Sequence, residues 1–179
     1  MRKLNMIFIA GMMVTFLLHG ILGAFQLAGL ANSAMKGAGW ACLGFMAGHT
    51  VIGVILTIQT LRASKKAGVS YRKENRLFWA RRISGLAVLV FMLFHLVFFS
   101  ASSADGGGYR LQPFDGFRLA TQILLVLSIG LHVILNVRPT LVTFGVKSLK
   151  AFAADMAVVL SVLLLFMAVA FAIYYLRWQ

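Results

Sequence analysis

Four histidines, His19, His49, His95 and His132, are the residues of this sequence whose chemistry stands out, and each falls in a different apolar stretch. An imidazole in hydrocarbon must find a partner, so an ionisable residue at membrane depth is a functional candidate by default. Any one of them alone is accounted for by a hydrogen bond to a neighbouring helix. One histidine on each of four helices asks for a common purpose, and imidazole is a frequent metal ligand.

The stretches that must position them are long enough to cross a bilayer. Apolar runs cover roughly 4–30, 39–60, 77–101, 117–137 and 151–175, each near the ~20 residues a spanning helix needs. Over 179 residues the chain is 61% hydrophobic and 12% charged, with a mean hydropathy of +0.91, far outside what a soluble domain can dissolve. The expectation is an all-α integral membrane protein, a five-helix transmembrane bundle forming one domain over 1–179. Only connecting loops remain, so soluble chemistry must belong to a partner. The first run is too long for the apolar core of a signal peptide and is read as retained. The lone Cys42, inside the second run, excludes an intramolecular disulfide and a cysteine-held cluster.

The net charge of +13 does not point to nucleic acid, because the basic residues gather at the ends of apolar runs. All but Lys36, Arg110, Arg118 and Arg177 fall on one side when the spans are drawn alternately. By the positive-inside rule the N-terminus is cytoplasmic and the C-terminus outside. The inner connection, Arg62 to Arg76, reads RASKKAGVSYRKENR, a basic patch suited to a cytoplasmic partner or to anionic headgroups of the lipid bilayer. The outer connection, Ser102 to Gly116, reads SSADGGGYRLQPFDG and is expected to be a flexible turn with no regular element.

Depth sorts the histidines into pairs. At 1.5 Å of rise per residue, counted from the cytoplasmic edge of each span, His19 and His95 lie ~21 and ~18 Å deep and His49 and His132 ~12 and ~9 Å deep. His19 with His95 is an outer pair, His49 with His132 an inner pair, and each joins two helices. Two imidazoles in hydrocarbon suit the axial positions of a haem iron, whose apolar macrocycle fits a bundle core. Zinc or copper would want more ligands per site. Small residues stand on the same helical faces: Gly11 and Gly23 beside His19, Gly53 beside His49, Ser128 beside His132. Ser84, 11 residues before His95 on one face, falls near the level of the inner pair.

One histidine on each of helices one to four, in a five-helix chain with its N-terminus inside, resembles the di-haem cytochrome b membrane subunit of succinate dehydrogenase and fumarate reductase. The stretch FWARRISGLAVLVFMLFHLV, Phe78 to Val97, is similar to that family's third helix. The resemblance implies a multi-pass subunit of the bacterial cytoplasmic membrane that binds two b-type haems and does not itself act on succinate or fumarate. His19 and His95 would hold the haem farther from the soluble subunits, His49 and His132 the nearer one. It implies as partners a flavoprotein subunit and an iron–sulfur subunit on the cytoplasmic face, docked on the basic loop, with menaquinone as the membrane substrate; a dimer of such complexes is compatible with this. The chain departs from the family at the glutamate some members carry near the fourth ligand. Gly130 stands two residues before His132, and no Glu occurs in any span.

A cytochrome b of another dehydrogenase, of the hydrogenase, formate dehydrogenase or heterodisulfide reductase type, is the alternative. Quinone chemistry is expected near the outer pair, where Gln26, Asn32, Ser100, Arg118, Thr121 and Gln122 supply polar groups at span ends. Thr121 and Gln122 are the preferred quinone contacts, since Thr121 lies 11 residues before His132 on its face.

Overall fold

The computed structural model describes residues 1–28, 36–69, 75–100, 104–105, 108–109, 113–146 and 149–177. Five helices dominate: α1 (Arg2–Leu27), α2 (Lys36–Lys66), α3 (Arg76–Ser100), α4 (Gly116–Thr143) and α5 (Leu149–Arg177). All five are long and apolar enough to cross a membrane, with mean hydropathies of 1.9 to 2.9 over their best windows. Helix is what hydrocarbon requires, because there each backbone N–H and C=O must be paired within the segment. The bundle is correspondingly apolar on its outside, where Ile7, Ile83, Leu127, Ile134, Leu165 and Leu176 are exposed. Together these features mark a multi-pass membrane protein.

The helices alternate in direction. Asn5 near the start of α1 meets His49 late in α2, Arg82 early in α3 meets Thr57 late in α2, and Ser84 early in α3 meets His132 late in α4. One end of the bundle, hereafter the basic end, therefore gathers Arg62, Lys65, Lys66, Arg76, Arg81, Arg82 and Arg138. The opposite end is the far end. Helix α5 closes the bundle by packing on α1, where Met167 Sδ and Leu163 approach Gly20, and on α4, where Leu164 approaches Gly130. Its aromatic contacts sit at the far end: Phe114 stacks on Phe171 at 6.1 Å and meets Tyr174 edge-on at 5.4 Å.

Helix boundaries differ from the apolar runs at the basic end. α2 continues to Lys66, so the first part of the expected inner loop is helical. It stops at Gly68 (φ +68°), where Gly68 N donates to Lys65 O and Val69 N to Ser64 O, the paired bonds of a glycine-terminated helix. α4 likewise runs past 137 through Pro139 and ends at Gly145 with the same two bonds. In α2 hydropathy falls before the helix does, because Lys65 and Lys66 in its last turn are good helix formers and favour the negative end of the helix dipole. At the far end, Asp115 caps α4 by accepting from Arg118 N at 2.7 Å. The outer connection is not wholly irregular either. Ala104–Asp105 (β1) and Gly108–Tyr109 (β2) pair antiparallel.

Candidate functional site

Interlocking aromatic rings set the spacing of α1 and α2. A Cβ on Gly11 would fall 2.4 Å from Phe45 Cε1, and one on Gly48 would fall 2.2 Å from Phe8 Cε1. Gly11 therefore serves this contact and gives no room beside His19. Gly23 and Gly53, by contrast, have nothing within 4 Å of a Cβ position, and Gly23 lines a cavity of about 190 Å³ with His19 and His95.

At the far level, the His19 and His95 rings stand 5.8 Å apart, centre to centre, and edge to face. The backbone of Gly39 on α2 runs beside His19, where a Cβ would sit 3.0 Å from Nδ1. His95 Nδ1 lies 2.8 Å from Gln122 Oε1. An amide oxygen only accepts, so Nδ1 carries the proton and Nε2 keeps its lone pair. Gln122 is fully buried. Met92, Leu96, Phe99, Leu125 and Val126 make the cavity wall apolar. Gln26 also lines it, and its buried Nε2 has no hydrogen-bond partner among the described residues.

At the basic-end level, His49 Nδ1 lies 2.9 Å from Asn5 Oδ1, which again leaves Nε2 with the lone pair. His132 Nδ1 lies 3.0 Å from Ser84 Oγ. Ser84 Oγ also lies 3.1 Å from Arg81 O, and Asn136 Nδ2 lies 3.5 Å from the same His132 Nδ1. Asn136 Nδ2 is engaged by the carbonyl of His132 at 2.7 Å. Asn5 is 14 residues from His19 along α1 and Ser84 is 11 from His95 along α3. The two histidine levels are thus separated by roughly 16–21 Å along the bundle.

The polar groups around this level follow from one proline. Pro139 has no N–H, so the carbonyl of Leu135 loses its helical partner. Arg81 Nε supplies one at 2.8 Å, which fastens α3 to α4 one turn from His132. Arg82 Nε donates to Thr57 Oγ1 at 2.5 Å, and its guanidinium sits 4.6 Å from the Phe78 ring centre. His132 lies within electrostatic reach of His49 and of Arg82. Gly85 is to His132 what Gly39 is to His19, since a Cβ there would sit 3.1 Å from Cε1.

Other sequence-derived candidates fall elsewhere. Thr121 is buried and donates to Arg118 O at 2.8 Å. With Gln122 turned to His95, neither residue presents a free polar group to a cavity. Arg118 is held by Asp115 and the Pro113 carbonyl and lies 5.4 Å from the Phe98 ring centre. Asn32, Arg72, Lys73 and Arg110 are outside the described residues, as is the side chain of Ser100. Among the described residues no three His, Cys, Asp or Glu side chains converge; the donors come in twos. The roles of Asn5, Gln122 and Gly39 went unread in the sequence. A search for amides and glycines at histidine level on adjacent antiparallel helices would have found them.

Compared with protein-family models, with curated proteins and with solved structures, the chain matches none.

Proposed function

We propose that this chain is a di-haem cytochrome b, the membrane anchor and electron-transfer subunit of a succinate dehydrogenase or fumarate reductase. The observation that carries the reading is the placement of His49 and His95, whose Nδ1 atoms lie 2.9 and 2.8 Å from amide oxygens, which leaves Nε2 of each ring as the ligand atom. Metal-bound histidines are held in this way, with the second nitrogen fixed by an outer hydrogen bond and Nε2 left to the metal.

The residues fit the group. His19 and His95, with ring centres 5.8 Å apart, are the residues that would hold its iron at the far level. Gly23 and Gly53 leave open space on the helices that carry His19 and His49. Bound there, haem supplies reversible one-electron transfer. The chain contributes the rest. His19 and His95 would hold haem at the far level and His49 and His132 at the basic-end level, with Asn5, Gln122 and Ser84 beside His49, His95 and His132. The apolar walls exclude water. Gln26 Nε2 is a donor for a carboxylate or a quinone carbonyl at the far-end cavity.

In this reading the basic end is cytoplasmic and receives a flavoprotein and an iron–sulfur subunit, and menaquinone exchanges electrons at the far level. The test is purification of the chain from membranes followed by a reduced-minus-oxidised absorption spectrum and identification of copurifying subunits. Two b-type signals with a succinate-oxidising flavoprotein are expected. A spectrum with no haem bands would defeat the cytochrome assignment, and a different dehydrogenase partner would defeat the succinate assignment alone.

A further inference from the structure

We infer that Gln122 is a positioning residue that lowers the reduction potential of the far haem through His95; the inference rests on the di-haem reading above. Gln122 is 0% exposed, and its Oε1 sits 2.8 Å from His95 Nδ1. No water competes for a bond so deeply buried, and the low dielectric strengthens it. Accepting the Nδ1 proton shifts negative charge onto the ring and makes Nε2 a more basic ligand. A more basic ligand favours ferric over ferrous iron, so the bond lowers the potential.

Gln122 stands alone in this role at its level. Among the described residues His19 has no hydrogen-bond partner, and the neighbour at its Nδ1 is the backbone of Gly39. The basic-end pair differs, because Asn5 and Ser84 hold both rings there. Position 122 therefore addresses one haem without touching the other. The amide is held from behind only loosely, with Nε2 3.5 Å from Thr121 Oγ1, so its orientation comes from the bond to His95 and from packing.

The experiment is potentiometric titration of the full chain purified from membranes as wild type, Gln122→Leu and Gln122→Met, with His95→Ala used to identify the far signal. Both substitutions keep most of the volume; leucine removes the acceptor, and methionine leaves only a weak thioether one. Losing one such bond should move the reduction equilibrium of the far haem about tenfold toward the ferrous form, 59 mV for a one-electron couple, and leave the other haem where it was. If one variant loses the far haem, the potential is read from the other, and loss of the far signal from both overturns the inference. An unshifted far potential in a variant that retains both haems overturns it, as does loss of both haems from both variants. A wild-type chain without b-type bands defeats the functional reading and this inference together, whereas an unshifted potential defeats the inference alone.

Discussion

The two histidine levels place the same side chain in opposite surroundings. At the far level, His19 and His95 face a cavity walled by aliphatic and aromatic side chains, and one buried amide is the hydrogen-bonding group on their rings. At the basic end, His49 and His132 sit in a polar lattice of Asn5, Ser84, Arg81, Arg82, Thr57 and Asn136. The difference teaches where polarity can be supported. Near the basic end a helix-breaking proline frees a carbonyl, arginines reach it from the adjacent helix, and hydroxyls and amides extend the chain of donors. Deeper in the bundle each polar group needs a dedicated partner, and the structure spends Gln122 on that task.

Removing a ligand should break the comparison most completely. If the di-haem proposal holds, His95→Ala is expected to abolish the far haem and leave the near one bound, since Ser84 and His132 meet at the other level. Loss of the same spectral component in His95→Ala and His49→Ala would show that the levels are not independent. Second in size is steric intrusion at the two glycines that lie against the rings. Gly39→Val should lower occupancy of the far haem and Gly85→Val that of the near one, each costing about 1–3 kcal/mol as an overpacked contact does. Haem-to-protein ratios of the two variants would check this, and equal loss of both haems in either would contradict it.

Smaller effects sharpen the contrast. Ser84→Ala removes one neutral acceptor from His132, worth about 1 kcal/mol, and should move only the near haem's potential, upward. A redox titration showing movement of the far component instead would refute that pairing of residues and levels. Smallest per residue is the effect of surface charge. Arg62, Lys65 and Lys66 are exposed on the last turns of α2, where single charge contacts are worth about 0–1 kcal/mol. If the proposed soluble subunits dock at this end, replacing all three by glutamine should weaken their retention, more so at high salt. Copurification unchanged across salt concentrations would assign these residues to topology alone.

Much of this could be read in advance, and for physical reasons. Apolar runs long enough to span declare themselves whatever their neighbours, so the five helices were legible, and so was one histidine on each of four. Boundaries at the basic end were not, because hydropathy ends at Arg62 and Arg138 while helical bonding continues to Gly68 and Gly145. The signal was present in the run Lys65, Lys66, Ala67, Gly68, a basic last turn followed by glycine. Small residues beside a histidine were ambiguous. Gly11 and Gly23 look alike in sequence, yet Phe45 fills the space at Gly11 and nothing fills it at Gly23. Gln122 looked like a polar group for a quinone at a span end, and became a buried partner of His95 once α3 and α4 packed.

By itself the amino-acid order determined the number of helices, their alternation, the clustering of positive charge at one end and the levels at which imidazoles occur. These depend on hydropathy and on the rise per residue, which are local properties. Tertiary structure decided which groups meet. It put the Leu135 carbonyl freed by Pro139 within reach of Arg81, turned Ser84 to His132 and Gln122 to His95, and pressed the backbones of Gly39 and Gly85 against histidine rings. The rotation of each helix about its axis is set by packing against its neighbours. That rotation selects which side chains at a given depth face one another, and no local pattern in the sequence encodes it.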